Sequence, residues 1–228
     1  MSGLYYKDSH VEIWHGDARE ILPALDREYN AVITDPVWPN ATADLVGRDD
    51  PQGLLTETLK LLEKRTKRIV IQIGFDSDPR FLLSVPKSFP FIRTCWLDCA
   101  RPHYKGLLLA GVDIAYVFGE TPKRQGWVVL PGMVRSTDSN GKESDHPCPR
   151  KLQHVHWLVR YYGQGLVCDP FLGSGTTLRA AKDLDLQAIG VEVEERFCEI
   201  AARRCNEAQP SMYHLLESSE RQGGLLDE

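Results

Sequence analysis

The sequence predicts an α/β fold, with a mostly parallel twisted sheet covered by helices on both faces. Three observations carry that expectation. Short β-rich apolar runs alternate with helically spaced segments along most of the 228 residues. A glycine-rich turn, DPFLGSGTT from Asp169 to Thr177, sits between an apolar run and a helical one. The next apolar run ends in an acid, Glu192.

The elements follow in order. Residues 11–14 read as a strand stopped by Gly16-Asp17, and 18–25 as a helix with Ile21, Leu22 and Leu25 on one face. Residues 31–34 (AVIT) form a strand ended by Asp35-Pro36, and 41–52, without a period, a loop. Residues 54–64 carry a broad leucine face, and 68–73 (RIVIQI) are a third strand. Strands are further expected at 91–97 and 112–118, with a short one at 127–130 and a surface loop at 138–149. Helical spacing returns over 151–162; then come a strand at 166–168 and a helix at 177–184. A strand at 187–193 and a long amphipathic helix at 194–208 complete the pattern. The expected organisation is one domain, 1–208, with a short insert at about 119–145 and a flexible tail at 209–228.

Composition narrows the class. The chain is 42% hydrophobic and 26% charged, which excludes wholesale disorder and fibrous folds. Its longest unbroken hydrophobic run, 114–118, is far short of the roughly 20 residues that span a bilayer. The N-terminus lacks a signal-peptide pattern, so a soluble cytoplasmic protein is expected. The six cysteines show no disulfide or zinc-finger spacing, and free thiols with no metal are the expectation. Net charge is −5, yet residues 101–160 hold nine Lys/Arg against five acids, +4, leaving −9 elsewhere. Such asymmetry suits a chain that meets a polyanion on one face; random unevenness is the plainer account.

Glycines at a strand-to-helix junction let the backbone turn tightly and approach a ligand, while the helix presents free N–H groups. The spacing matches neither GxxxxGK[ST] nor GxGxxG. With Glu192 placed to accept from ribose hydroxyls, the pair points to a nucleoside-bearing cofactor. Glu194 and Glu195 fit an acidic first helical turn.

DPFLGSGTT followed by GVEVEERFCEIAARR closely resembles the S-adenosylmethionine motifs of amino-group DNA methyltransferases. Earlier in the chain, WHGDAREILPAL resembles that family's GD-x-x-x-x-L element. ITDPVW stands in the place of its catalytic (D/N/S)PP(Y/F/W) motif, and HPCPRK resembles HPTQKP. Together they cover most of 11–205 in the permuted order of the beta group. The resemblance implies a Rossmann-like methyltransferase fold with S-adenosyl-L-methionine as cofactor. Phe171, Gly173, Gly175 and Thr176 would shape the pocket for its methionine half, with Asp169 nearby. Glu192 would hold the ribose and Asp17 would reach the adenine ring. His146 would precede the helix covering the methionine end, and Arg150 stands where the family usually has lysine. The departure from DPPY is Val37 for the second proline and Trp38 for tyrosine.

The chemistry implied is displacement at a sulfonium methyl by an exocyclic amine whose lone pair is delocalised into its ring. Asp35 and the Pro36 carbonyl would each accept one N–H, drawing the nitrogen toward tetrahedral geometry and stabilising its developing charge. Trp38 would stack on a base flipped out of the duplex and add a cation–π contribution. Aspartate at the head of the motif leans toward adenine N6. For Asp35-Pro36 taken alone, a strand-ending turn is the plainer reading.

Double-stranded DNA, or single-stranded DNA, is the implied partner. The spare insert is short, so a short or relaxed target sequence is expected. Lys123, Arg124, Arg135, Lys142 and Arg150 are candidates for phosphate contacts, or solvated loop charges. Arg101, His103, Tyr104 and Lys105 either flank a substrate channel or decorate a surface loop. Residues 41–53 are a candidate lid, and the basic run 64–68 suits a helix C-terminus. His154 and His156 read as packing or surface residues. The other readings are cytosine-N4, RNA-adenine, protein-glutamine or small-molecule methylation, and a non-catalytic DNA-binding partner of the same fold. The resemblance also raises a homodimer, and the chain's compactness a solitary enzyme of a phage or mobile element.

Overall fold

The computed structural model describes residues 2–40, 45–74, 76–105, 107–123, 129–136 and 150–208. A nine-stranded sheet forms the centre. Its strands are β1 (Gly3–Lys7), β2 (Val11–His15), β3 (Ala31–Thr34), β4 (Arg68–Ile73), β5 (Phe91–Lys105), β6 (Leu108–Gly119), β7 (Met133–Ser136), β8 (Val167–Asp169) and β9 (Ala188–Glu192). The spatial order is β1-β2-β9-β8-β3-β4-β6-β5-β7. From β2 to β4 every pairing is parallel, as is β5 with β7; β1–β2, β4–β6 and β5–β6 are antiparallel. The expected mostly parallel sheet is what forms.

Its central strands are buried at every position in β3, β4, β8 and β9. That explains why they read as unbroken apolar runs rather than alternating ones. Two apolar cores result. One gathers Val70, Leu158, Tyr162 and Leu178 with α3 (Leu152–Tyr162) and α4 (Thr176–Asp183); α5 (Glu195–Asn206) adds Cys198 and Ala201. The other gathers Ile69, Ile71 and Val191 with Leu22 of α1 (Ala18–Leu25) and Leu55, Leu59 and Leu62 of α2 (Pro51–Leu62).

Several expectations are corrected. Helix α2 begins at Pro51, inside the expected loop, because Asp50 caps it by accepting from Gly53 N at 2.8 Å and proline suits the first helical position. The strand expected at 127–130 is not formed at 129–130, and 127–128 lie outside the described residues. Instead β7 forms within the insert and pairs Asp98 with Arg135 at the sheet edge. β5 and β6 run well past the expected ends as a long hairpin, with a register shift between Asp98 and His103. Arg68 opens β4 as expected, but its side chain, read with the basic run 64–68 as helix-end charge, is only 4% exposed. Its guanidinium donates to the carbonyls of Glu120 and Tyr162, both at 2.6 Å. The 3-10 turn Pro79–Ser84 and strand β1 were not foreseen. The tail, 209–228, lies outside the described residues. Among the described residues no helix is long and apolar enough to cross a membrane.

Candidate active site

Parallel neighbours end at the same edge of a sheet, where α/β folds place their ligands. The C-terminal ends of β3, β8, β9 and β2 therefore bring Asp35, the Asp169–Gly175 turn, Glu192 and Asp17 to one edge. Two bonds fasten the tips. Thr34 Oγ1 donates to Asp169 Oδ1 at 2.8 Å, and Gly16 N donates to the Glu192 carbonyl at 2.8 Å.

Asp35 follows β3 directly. Burial raises its carboxyl to about 6, and the nearby Asp113 and Asp169 push the same way, against the opposing pull of Arg150. Arg150 donates to both Asp35 oxygens, Nε at 2.5 Å and Nη2 at 2.8 Å. Its Cζ also lies 4.1 Å from the Trp38 ring centroid, and Nη1 is 3.3 Å from Asp113 Oδ2. The indole rests on bare backbone at Gly74, where an added Cβ would come within 2.5 Å of the ring. Trp38 Nε1 is buried without a hydrogen-bond partner among the described residues. Arg150, expected at DNA phosphates, is instead a partner of Asp35.

The glycine turn is built from left-handed backbone at Gly173 (φ 52°) and Gly175 (φ 81°). A Cβ at Gly175 would meet Ala201 of α5 at 2.6 Å, so the turn needs both the conformation and the space. Glu192 holds it: Oε2 accepts from Gly173 N at 2.7 Å and Oε1 from Glu194 N at 2.8 Å. A carboxylate has about four acceptor sites, so lone pairs remain for a ligand. Burial raises this carboxyl. Arg204 fastens the far side, donating to the Ser174 carbonyl (2.7 Å), Ser174 Oγ (2.8 Å) and Thr176 Oγ1 (3.1 Å). Asp169 accepts from Phe171 N at 3.2 Å, and burial lifts it to about 6. Phe171 is half-buried beside the second core.

Asp17 caps α1, accepting from Arg19 N at 2.8 Å, and pairs with the Arg19 guanidinium at 2.6 Å. Arg135 stands at the site edge, exposed, 3.2 Å from Asp98. Lys123 is not brought to the site. Its backbone bonds Gln164, ahead of β8, at the opposite edge of the sheet. His146, Arg124 and Lys142 lie outside the described residues, as do the side chains of Arg101 and Lys105, whose backbone belongs to β5.

Sequence reasoning missed Thr34, Gly74, Asp113 and Arg204, each of which acts through residues distant in the chain. It also missed a cluster of Cys99, Asp113 and His154, whose ligand atoms lie within 4.8 Å of one another. Asp113 already serves Arg150, and burial holds the Cys99 thiol above its ordinary value against the opposing pull of Lys151. His154 is buried with Nε2 2.9 Å from the Asp98 carbonyl, and His156 is buried 3.4 Å from Asp183. The five described cysteines are free and buried.

A Rossmann-like sheet with a glycine turn, a buried acid on the next strand and a carboxylate–aromatic pair at the switch of strand order defines the methyltransferase class. Solved structures share the fold: the M1.HpyAVI–SAM complex at TM-score 0.61 and 20% identity, covering 85% of this chain and 99% of that one. The PvuII DNA methyltransferase (cytosine-N4-specific) aligns at TM-score 0.66 and 15% identity, covering 91% and 96%. The N6/N4 family profile, described as DNA methylase, matches residues 31–203, and the chain belongs to that family. It is similar to the type II methyltransferase M.HinfI of Haemophilus influenzae, 32% identical over 95 residues, 40% of this chain and 26% of that one. It is also similar to the type II methyltransferase M2.MboI of Moraxella bovis, 32% identical over 118 residues, 50% and 42% respectively. The chain thus spans less than half the length of these curated relatives.

Proposed function

We propose that the protein is an S-adenosylmethionine-dependent DNA methyltransferase acting on the exocyclic amine of a flipped base, adenine N6, with short or relaxed sequence specificity. The observation that carries the reading is the partly buried Asp35 carboxylate, which shares the Arg150 guanidinium with the Trp38 ring and is joined through Thr34 and Asp169 to the glycine turn.

The cofactor fits residues that are present. Glu192 keeps acceptor capacity for ribose hydroxyls beside the left-handed turn at Gly173 and Gly175, and Asp17 stands one strand further out. Phe171, Asp169 and Thr176 border that turn. When bound, S-adenosylmethionine supplies an electrophilic methyl group on a sulfonium. Asp35 accepts one N–H of the amine and the Pro36 carbonyl the other, so the nitrogen lone pair is released toward the methyl group. The same two oxygens stabilise the charge that grows on nitrogen, and the methylated nitrogen then sheds its proton readily. Trp38 replaces the stacking lost when the base leaves the helix. Arg135 holds phosphates at the same edge, and Arg101 and Lys105 remain candidates for the same role on their sequence alone. The protein would act in the cytoplasm as a monomer or homodimer.

The test incubates unmethylated duplex DNA with S-adenosylmethionine and the protein, followed by nuclease digestion and nucleoside mass spectrometry, with Asp35→Ala alongside. N6-methyldeoxyadenosine that vanishes in the variant supports reaction, base and residue together. N4-methyldeoxycytidine would change the base alone. No methylated nucleoside despite cofactor binding would move the substrate to RNA or protein.

A further inference from the structure

Arg150 meets Asp35 and Trp38 as a flipped base would. A guanidinium is planar and carries N–H donors in a fixed fork. Two of them reach the two Asp35 oxygens, at 2.5 and 2.8 Å, while the plane's centre lies 4.1 Å from the Trp38 ring centroid. An amino-bearing base in this pocket needs the same two things, an N–H on the carboxylate and a face on the indole. Both occupants cannot be seated at once. A carboxylate already paired with a guanidinium also has little left to offer the charge that develops on a reacting nitrogen.

The structure supplies a second seat for the displaced cation. Arg150 Nη1 already lies 3.3 Å from Asp113 Oδ2, on strand β6, and both side chains are largely shielded from water (12% and 21% exposed). A guanidinium released from Asp35 therefore keeps an anionic partner, and no buried cation is stranded. Without DNA, the same guanidinium keeps the partly shielded Asp35 from standing uncompensated.

We propose that Arg150 is a built-in stand-in for the target base, filling the pocket of the DNA-free protein and passing from Asp35 to Asp113 when the base enters. The inference rests on the base-methylating reading above. It makes Arg150 a positioning residue that competes with substrate, and Asp113 the acceptor that makes the competition reversible.

The two partners are predicted to act in opposite directions. With mixed-sequence unmethylated duplex DNA and tritiated S-adenosylmethionine, Arg150→Met should lower the KM for DNA about tenfold, the order expected for removing a charge-assisted contact. Asp113→Asn weakens the second seat and should raise that KM. Arg150→Lys keeps a cation but loses the fork and the stacked plane, and should resemble the Met variant in KM, which guards against a Met variant that folds poorly. If Arg150→Met and Asp113→Asn both raise KM, or both leave KM unchanged and lower kcat, Arg150 stays on Asp35 in the productive complex and the inference fails. A readout free of activity is the Arg150 Nε–H resonance of the DNA-free protein. It should be protected from solvent exchange in the wild type and lose that protection in Asp35→Asn; fast exchange in the wild type overturns the stand-in. A wild type that methylates no DNA overturns the proposed function instead, and the resonance then still decides whether Arg150 fills the pocket.

Discussion

Thr34 donates its hydroxyl to the carboxylate of Asp169 at 2.8 Å, across 135 residues of chain. Thr34 is the last residue of β3, immediately before Asp35; Asp169 ends β8, immediately before the glycine turn. The bond therefore joins the proposed catalytic turn to the proposed cofactor turn, between neighbouring parallel strands that could otherwise slide or splay at their tips.

Replacing Thr34 by Val keeps the shape and deletes the donor. Thr34 is 2% exposed and Asp169 3%, so water does not replace the lost bond. A cost of about 1–3 kcal/mol in unfolding free energy is expected. Asp169 should also titrate higher than its present value of about 6, having lost a bond that lowers it. Denaturant unfolding and an NMR titration of the Asp169 carboxyl check the two; a variant with unchanged stability and unchanged titration would mean the two tips are held by the backbone ladder alone.

The acid limb of activity should report Asp35. Only its ionised form carries the negative charge that stabilises the charge growing on the reacting nitrogen, and burial lifts its carboxyl to about 6. The rate at subsaturating DNA is expected to fall about tenfold per pH unit below that value. Stability should move the opposite way. Asp35 and Asp169 both titrate near 6 in the fold and near the ordinary carboxylate value when unfolded. Between about 5 and 6 the folded chain therefore holds more protons, so unfolding free energy rises as pH falls through that window. The lowered carboxyls, Asp8 (to about 2), Glu12 and Asp17, reverse the trend only at lower pH. Urea unfolding at pH 5, 6 and 7 measures the sign.

What could be read in advance follows from how far each signal reaches along the chain. β3, β4 and β9 are buried on both faces, so each shows as an apolar run within six residues or fewer. Asp35, Glu192 and the glycine turn stand out as candidates for the same reason, since each sits directly at the end of such a run. Strand β1 escaped because its partner on one side is water and its burial does not alternate. β7 escaped because its pattern of four residues, three of them outside the core, looks like loop. Arg150 shows the harder limit. Nothing local distinguishes an arginine bound for phosphate from one that closes on a carboxylate 115 residues earlier. Arg68 looked like part of a basic helix end for the same reason, although two backbone carbonyls are its partners.

Glu192 should be the residue to which cofactor affinity is most sensitive. It carries the glycine turn on Oε2 and the start of α5 on Oε1, so a ligand must share a carboxylate already at work. Glu192→Gln retains one acceptor oxygen and turns the other position into a donor facing a backbone N–H. A loss of about ten- to a hundredfold in S-adenosylmethionine affinity is expected, with the fold retained by circular dichroism. Affinity within twofold of wild type would show that the turn keeps its shape without the acid.

Arg204 should affect the same affinity without touching the ligand edge. It reaches Ser174 and Thr176 from α5, where the sequence shows only one more basic residue in a helical last turn. Arg204→Met removes donors to a backbone carbonyl and two hydroxyls while keeping the aliphatic stem. Weaker cofactor binding with unchanged kcat at saturation is expected, because the turn loosens but Asp35 and Trp38 do not move. A drop in saturated kcat would mean that the glycine turn and the Asp35 turn respond as one unit.

Salt dependence of DNA binding separates the two basic residues that the sequence could not tell apart. Arg135 is exposed at the edge that carries Asp35, paired with Asp98 across β5 and β7. Lys123 follows β6 where that strand leaves the opposite edge, with Gly119 beside Arg68 at the start of β4. The six residues of β4 separate the edges by about 20 Å at roughly 3.3 Å per residue. A duplex seated over Asp35 therefore meets Arg135 and not Lys123. Each phosphate contact contributes about 0.9 to the slope of log affinity against log salt concentration. Arg135→Ala should reduce that slope by about this amount, and Lys123→Ala should leave it unchanged. The reverse result would place the DNA on the far edge, away from Asp35, and would remove the geometric basis for base methylation at this site.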